Sequence, residues 1–235
     1  MKIAKLGILV PSANRIMEPD LYRMGPEGVT FHFARVRATK DTKEEIAGMI
    51  DYVENPTELL THAGVDIIAF GCTAGSFIGG PGYDEKIIQK IERVAKIPVT
   101  TTTTAFVEAL KEMNVRKLTL ATPYEDYVNR REVEFLEDKG FSVLSEGGLG
   151  LIEADVQSSY PPEKIKQFIK KLDTPETDGI FISCTNFRGV EVIKDLEADL
   201  NKPVVTSNQA TLWKMLRMVE IQTPISNYGQ LLETL

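Results

Sequence analysis

The sequence repeats part of itself 112 residues further along, and this repeat constrains the fold more than any other feature. Residues 5–11 (KLGILVP) recur as residues 117–123 (KLTLATP), and residues 66–73 (DIIAFGCT) recur as residues 178–185 (DGIFISCT). Lysine, proline, aspartate, cysteine and threonine keep the same offset throughout. The chain has only two cysteines, and the repeat pairs them. We therefore expect two similar halves that each place one thiol at a shared, two-fold site.

The composition is that of a globular protein that does not bind nucleic acid. The chain has 235 residues, enough for one large or two smaller domains, and 43% of them are hydrophobic. Its formal net charge is −7, whereas a nucleic-acid-binding protein would carry a basic patch. No apolar run approaches the ~18 residues of a membrane helix, and the N-terminal run breaks at Pro11 without a signal-peptide cleavage site. We therefore expect a cytoplasmic protein whose partner is a small molecule.

Short apolar runs alternate with helical patterns along the whole chain. The pattern predicts strands at residues 3–10, 30–36, 66–70, 98–100, 118–121, 141–145, 179–183 and 204–206. It predicts helices at residues 43–55, 56–63, 83–95, 128–139, 162–172, 190–200 and 211–220. This alternation is typical of α/β proteins, in which helices cover both faces of parallel sheets.

From this pattern we predict an α/β fold of two pseudo-symmetric, doubly wound lobes, each with a mostly parallel sheet of about four strands flanked by helices. The first lobe would comprise residues 1–106 plus 211–235, and the second residues 107–210, so that the C-terminal helix returns to the first lobe. Ligands of such sheets bind outside the carboxyl ends of the strands. We therefore expect the active site in the cleft between the lobes.

Both cysteines lie at predicted strand-to-helix turns, a position that favours a reactive thiolate. Cys72 and Cys184 each follow a short apolar strand and precede small or polar residues. At such a strand-to-helix turn, backbone N–H groups point outward and stabilise a thiolate, which makes the cysteine a nucleophile or a base. A single cysteine of this kind is more often a buried structural residue. Two cysteines at matching ends of a repeat favour function, and two are too few for a disulfide framework, so we interpret them as reduced thiols.

Other kinds of site find little support in the sequence. A zinc site needs about four ligands, but there is no C-x-x-C motif and neither His32 nor His62 is near a cysteine. The glycine-rich loop at residues 79–82 lacks the spacing of a nucleotide-binding fingerprint. We therefore expect no metal and no nucleotide cofactor.

Polar residues in the loops after the strands are candidates for binding a carboxylate. Asn14 lies in the loop after the first strand, at the same sheet edge as Cys72, and its amide can bind an anion or simply stabilise the turn. In the matching loop, residues 123–127, the hydroxyl of Tyr127 can donate to an anion, or its ring can pack in the core. The hydroxyl groups at residues 100–104 and 206–207 can bind a ligand or cap the helices that follow.

These features together resemble the aspartate/glutamate racemase superfamily, which has two pseudo-symmetric lobes with one cysteine each. Residues 11–20 (PSANRIMEPD) and 71–80 (GCTAGSFIGG) are similar to the branch that holds maleate cis–trans isomerases and arylmalonate decarboxylases. The resemblance spans essentially the whole chain. It implies Cys72 and Cys184 as the catalytic pair, no metal or organic cofactor, a small dicarboxylate or amino-acid substrate, and a homo-oligomer. The substrate-binding residues that we expect on this basis are Ser12, Asn14, Thr73, Ala74, Tyr127, Gln157, Thr185 and Asn186.

Two details discriminate within this branch. Arylmalonate decarboxylases resemble the chain but keep only the second cysteine, so the presence of Cys72 favours isomerase or racemase chemistry. Maleate isomerases usually place an asparagine in the loop after the second strand of the second half. Here residues 150–157 contain none; Asp155 would repel a dianion, whereas Gln157 can supply the amide.

The leading hypothesis is cofactor-independent cis–trans isomerisation of maleate to fumarate, with Cys72 as nucleophile and Cys184 as acid or partner thiol. Racemisation of an aspartate- or glutamate-type amino acid, with one thiolate removing a proton and the other thiol returning one, uses the same residues. Arylmalonate-type decarboxylation is a further alternative. A non-catalytic two-lobed binder of a small acid is the alternative from a different class, although it would not need two reactive thiols.

Overall fold

The repeat in the sequence becomes two parallel sheets of the same topology. The computed structural model describes residues 4–40 and 42–235, so position 3 of the first predicted strand lies outside it. The strands are β1 (Ala4–Pro11), β2 (Val29–Val36), β3 (Ile67–Phe70), β4 (Val99–Thr101), β5 (Lys117–Thr122), β6 (Ser142–Gly148), β7 (Gly179–Ile182) and β8 (Val204–Thr206). They form two four-stranded sheets in the orders β2-β1-β3-β4 and β6-β5-β7-β8. The predicted fold class is confirmed.

The register of the central strands keeps the offset seen in the sequence. Leu6 of β1 pairs with Ile67 of β3, and Leu118 of β5 pairs with Gly179 of β7. Because the pairing repeats residue for residue, the chain leaves each central strand at an equivalent place. The residues that follow the strands are therefore presented at matching edges of the two sheets.

The recurring lysine and aspartate have a structural role at the opposite edge. The carboxylate of Asp66 accepts the backbone N–H of Lys5 at 2.7 Å, and that of Asp178 accepts the backbone N–H of Lys117 at 2.9 Å. Each bond joins a residue at the start of one central strand, β1 or β5, to the residue that precedes the neighbouring central strand, β3 or β7. This explains why these residues recur without assigning them to chemistry.

Helices cover both faces of the sheets. They are α1 (Met17–Met24), α2 (Lys43–Gly48), α3 (Glu54–His62), α4 (Thr73–Phe77), α5 (Tyr83–Ala95), α6 (Thr102–Glu112), α7 (Asp126–Asp138), α8 (Ala154–Ser159), α9 (Pro162–Leu172), α10 (Ile193–Leu200) and α11 (Ser207–Met218). Short 3-10 turns are formed by Met49–Tyr52, Val190–Val192 and Gln230–Thr234.

The helices differ from the sequence prediction where short or polar segments lack an apolar period. Helices α1, α4, α6 and α8 were not predicted: α1 contains Pro19, α4 is a five-residue turn of small residues, and α6 opens with three threonines. The segment predicted as one helix at residues 43–55 instead forms the short helix α2, which is followed by the 3-10 turn Met49–Tyr52. Helix α11 begins four residues before the predicted start, because the side chain of Thr206 caps it in a capping box with Gln209.

Helices α6 and α11 join the two lobes. Each begins directly after the last strand of its sheet, and the two helices pack against each other. Helix α11 contacts β3 and β4 of the first sheet as well as β8 of the second, and α6 contacts both β4 and β8. The division into residues 1–106 plus 211–235 and residues 107–210 therefore stays a prediction, with α11 in contact with the first lobe.

The hydrophobic core also crosses between the lobes. One apolar cluster includes β1 and β5 side chains together, and within it the rings of Phe106 and Phe181 lie 4.4 Å apart between centroids. A second cluster, which includes Phe70 and Cys72, lies within the first lobe. Because one core is shared, the edges of the two sheets are held in a fixed relation. None of the helices in residues 4–40 and 42–235 is long and apolar enough to cross a membrane.

A glycine after α7 offers a test of the backbone geometry. Gly140 has φ +89°, and a Cβ built there would meet no atom within 4 Å. We expect Gly140→Ala to lower the free energy of unfolding by about 1–2 kcal/mol, because an L-residue is strained in this region even where space is free. The matched control is Gly48→Ala, which is equally open but has φ −75° and should be neutral or slightly stabilising. Chemical denaturation of both variants measures the difference, and equal effects would contradict the assignment.

Candidate active site

The carboxyl ends of the four central strands converge on one pocket. In each sheet the strand order reverses between the first and third strands, which is where ligands of doubly wound folds bind. The loops after β1, β3, β5 and β7 meet there, and the cavity holds about 420 Å³ including its mouth. Eight of the ten predicted site residues line it: Asn14, Cys72, Thr73, Ala74, Gln157, Cys184, Thr185 and Asn186.

The first cysteine lies at the start of a helix. Cys72 has extended backbone angles and occupies the N-cap position of α4, where its sulfur accepts the N–H of Gly75 at 3.3 Å. Only 6% of Cys72 is exposed, and that surface faces the pocket it lines. A backbone donor at the sulfur stabilises the thiolate form, which is the nucleophilic one.

The second cysteine has a different backbone and a different partner. Cys184 has φ +91°, the left-handed region that L-residues avoid. Its sulfur accepts the N–H of Asn186 at 3.3 Å, and its thiol lies 3.8 Å from the side-chain oxygen of Gln157, to which it donates. A thiol that donates to an amide oxygen holds a proton at the pocket wall. The two cysteines therefore have equivalent positions and different hydrogen-bonding environments.

Hydrogen bonds between the lobes hold the two cysteine turns together. The hydroxyl of Thr185 donates to the carbonyl of Gly71 at 3.1 Å and accepts from the side-chain amide of Asn14 at 3.0 Å. The hydroxyl of Ser207 accepts both the Thr73 hydroxyl at 2.9 Å and the Cys184 N–H at 3.1 Å. Each turn is thus bonded to residues of the other half.

The predicted carboxylate-binding amides are committed partly to the protein itself. The oxygen of Asn14 accepts the backbone N–H groups of Ile16 and Met17, so it also organises the start of α1. Gln157 is 1% exposed and donates to the carbonyl of Leu151 at 2.7 Å. Asp155 is exposed and does not line the pocket, so it is not placed to repel a dianion inside it.

Two predicted binding residues do not line the pocket. The hydroxyl of Ser12 donates to the carbonyl of Ala38 and accepts its N–H, which fixes the loop after β1. Tyr127 is 38% exposed, and the ammonium of Lys43 lies 5.1 Å from its ring centroid. Tyr124 lines the pocket instead and is 2% exposed. The pocket geometry therefore gives Tyr127 no support as a binding residue, and spacing alone does not show which of the two tyrosines faces inward.

The mouth of the pocket contains residues that the sequence did not single out. Lys40 lines the pocket and forms an antiparallel β-bridge with Glu153 of the other half, and its ammonium lies 2.7 Å from the Glu153 carboxylate. Ile46 and Met49 supply an apolar wall. The segment that carries these residues has no motif, so no sequence signal marked it.

Two buried acids behind the site were also missed. Glu132 and Asp20 are separated by the repeat offset, and they are 0% and 1% exposed. Burial raises the pKa of Glu132 to about 8 and that of Asp20 to about 6. The carboxyl of Glu132 accepts the hydroxyl of Ser183 at 2.6 Å, directly before the second cysteine.

Neither histidine takes part in the site. His32 lies in β2 and His62 ends α3, and neither lines the pocket. In the part of the chain that the structure describes, no three histidine, cysteine, aspartate or glutamate side chains are grouped so that they could hold a metal ion.

Comparisons with known proteins agree with this geometry. The model of the arylmalonate decarboxylase family matches residues 6–232. The chain is 26% identical over 244 residues to the maleate isomerase of Pseudomonas putida, covering 98% of each chain. It is 25% identical over 215 residues to the arylmalonate decarboxylase of Bordetella bronchiseptica, covering 91% of this chain and 89% of the relative.

A solved structure extends the likeness to three dimensions. The Nocardia farcinica maleate cis–trans isomerase, in a cysteine-to-serine variant with a covalently bound succinylcysteine intermediate, superposes with a TM-score of 0.93. It is 22% identical and the match covers 98% of both chains, so this likeness shows a shared fold.

The buried acids give a test through the pH dependence of stability. Between pH 4.5 and about 8, Glu132 is ionised in the unfolded chain and protonated in the folded one. In this range the folded state binds more protons than the unfolded chain. The contribution of this group to the free energy of unfolding therefore falls by about 1.4 kcal/mol for each unit by which the pH rises. We expect Glu132→Gln to gain stability relative to the unmodified protein up to about pH 8.

The matched control is Asp20→Asn, whose advantage should stop growing at about pH 6. Urea denaturation between pH 5 and 9 measures both curves. A Glu132→Gln curve parallel to that of the unmodified protein would show that this carboxyl is not protonated in the folded state.

Proposed function

Because this chain belongs to the arylmalonate decarboxylase family, we propose that it is a cofactor-independent cis–trans isomerase that converts maleate to fumarate. The resemblance expected from residues 11–20 and 71–80 is confirmed at the level of the family. The observation that carries the proposal is the presence of one thiol from each half, Cys72 and Cys184, on the wall of a single small pocket.

In the proposed reaction Cys72, as thiolate, adds to one alkene carbon of maleate. A C–S bond forms, the π electrons move toward the carboxylate on the neighbouring carbon, and the former double bond becomes a single bond. Donors at the two turns, including the amide of Asn14, would stabilise the charge that develops on that carboxylate. Cys184 then gives its proton to the carbanionic carbon, leaving a succinyl thioether on Cys72.

Rotation about the new single bond and reversal complete the turnover. The Cys184 thiolate takes a proton back from the succinyl adduct, the C–S bond breaks, and the double bond re-forms in the trans geometry with Cys72 restored as thiolate. Both sulfurs accept a backbone N–H, and the role of Cys184 as the proton donor is supported by the further bond that its thiol donates to Gln157. The succinylcysteine captured in the Nocardia farcinica isomerase is an adduct of the same kind.

The second candidate function is decarboxylation of an arylmalonate-type acid. It is favoured by the family model and by the relative from Bordetella bronchiseptica. It would need one thiol to deliver a proton and gives no role to Cys72, whose sulfur lines the pocket with a backbone donor in place.

The expected setting of the reaction follows from the chemistry. Neither Cys72 nor Cys184 forms a disulfide in the structure, and the proposed mechanism requires both to be reduced, which supports a cytoplasmic location. We also expect a homo-oligomer, which sedimentation of the purified protein tests directly.

Replacement of Cys72 is the decisive test of the nucleophile. We expect Cys72→Ala to reduce the conversion of maleate to fumarate at least about 10³-fold, because the variant lacks the thiolate that forms the C–S bond. Proton NMR of purified protein with maleate measures the product. Phenylmalonate and aspartate, incubated in deuterated buffer in parallel, test decarboxylation and racemisation, and racemisation would place deuterium at the α-carbon of returned aspartate. Full turnover by Cys72→Ala would exclude the proposed nucleophile.

The two tyrosines of the β5 loop form a second test. We expect Tyr124→Phe to lower kcat/KM for maleate by about 10–100-fold, because Tyr124 lines the pocket and a hydroxyl that donates to a substrate carboxylate contributes about 1.5–3 kcal/mol. Tyr127→Phe is the matched control and should change kcat/KM less than about twofold, since its ring is on the surface. The reverse order would restore Tyr127 as the carboxylate contact.

A further inference from the structure

The backbone at the second cysteine is strained, and its neighbours must hold it in place. Cys184 adopts φ +91°, whereas Cys72 has φ −139°. A non-glycine residue in this region costs of order 1–3 kcal/mol and persists only where the surrounding structure fixes it. Cys184 is held by the bond from its own N–H to Ser207 and by the contacts of its neighbours Ser183 and Asn186.

One of these contacts leads to Glu132. Ser183 is fully buried, and its hydroxyl donates to the carboxyl of Glu132 at 2.6 Å. Glu132 is itself fully buried, and its second carboxyl oxygen has no hydrogen-bond partner in residues 4–40 and 42–235. A buried acid with an unsatisfied oxygen lowers stability, so stability alone would favour an apolar side chain there.

The repeat supplies an internal comparison. The position equivalent to Ser183 in the first half is Gly71, which has no side chain and precedes a cysteine with ordinary backbone angles. The acid equivalent to Glu132 is Asp20, and the amide of Asn208 bridges it to the carbonyl of Thr185. Both buried acids are thus connected to the turn of Cys184. Each half thus contributes one buried acid at the repeat offset, and both acids connect to the one strained cysteine.

We propose that Glu132 is a positioning residue for the reaction, which acts through Ser183 to hold Cys184 in its left-handed conformation with the thiol toward the substrate. This inference rests on the proposed two-thiol chemistry, in which Cys184 delivers the proton. A raised pKa of about 8 agrees with it, because Glu132 then carries no charge at neutral pH and an amide can replace it.

The test compares two variants of similar size. Glu132→Gln keeps an oxygen that accepts the Ser183 hydroxyl, whereas Glu132→Leu does not. We expect Glu132→Leu to lower kcat for maleate by about 10–100-fold with KM nearly unchanged, as small displacements of a reacting group do, and Glu132→Gln to retain kcat within about threefold. Ser183→Ala should reproduce the loss, and the double variant Ser183→Ala/Glu132→Leu should lose no more than either alone.

A second readout does not depend on turnover. Alkylation by iodoacetamide is followed by mass spectrometry for Cys184 in a Cys72→Ser background and for Cys72 in a Cys184→Ser background. We expect Glu132→Leu to slow alkylation of Cys184 about tenfold, because the loosened turn removes the Asn186 N–H from the sulfur, and to leave Cys72 within about twofold.

The outcomes separate the two proposals. If no variant or unmodified protein converts maleate, the proposed function fails, and the alkylation rates still decide the role of Glu132. Equal changes in both thiols would show a general loosening of the fold and overturn the inference. So would unchanged rates in both thiols, or a Glu132→Gln variant that behaves like Glu132→Leu.

Discussion

Two thiols can act on one small molecule only if the carboxyl ends of two separate sheets face each other across a fixed gap. The shared apolar core sets the lobes in place, and the bonds from Thr185 to Gly71 and from Ser207 to both turns set the remaining distances. These groups are buried, so breaking one bond would leave an unsatisfied polar group in the interior. These buried hydrogen bonds of Thr185 and Ser207 therefore determine the shape of the pocket and the relative positions of the two sulfurs.

The duplication provides symmetry, and the reaction proposed here needs asymmetry. The backbone pairing of the central strands is the same in both halves, so Cys72 and Cys184 leave their sheets at equivalent points. Both sulfurs accept a backbone N–H, and the neighbours make the difference: Cys72 is at the N-cap of a helix, whereas Cys184 has a left-handed backbone and its thiol also donates to Gln157. One repeated scaffold thereby gives the two thiols unequal surroundings, to which the proposed reaction assigns a nucleophile and an acid.

The sequence predicts what depends on periodicity and misses what depends on direction. Strand positions, the two lobes and both cysteine turns could be predicted, because apolar runs and a fixed offset mark them. Tyr124, which lines the pocket, could not be distinguished from the more exposed Tyr127. The two residues are close together in the sequence, and only the folded backbone determines which of them faces the pocket. The ion pair between Lys40 and Glu153 joins segments that are far apart in the chain. The burial of Glu132 likewise depends on distant segments that pack over it, so neither feature leaves a local sequence pattern.

The unequal surroundings of the two cysteines fit the proposed reaction, in which Cys72 is the nucleophile and Cys184 the proton donor. A proton donor must lie within hydrogen-bond reach of the carbon on which charge develops, so the position of Cys184 is critical to that reaction. The structure places its unfavourable features there: a left-handed backbone at Cys184, a buried acid at Glu132 and a second at Asp20. Each lowers stability, and all three lie at or are bonded to the turn of Cys184, which is the pattern expected where geometry at a reacting group outweighs the stability of the fold.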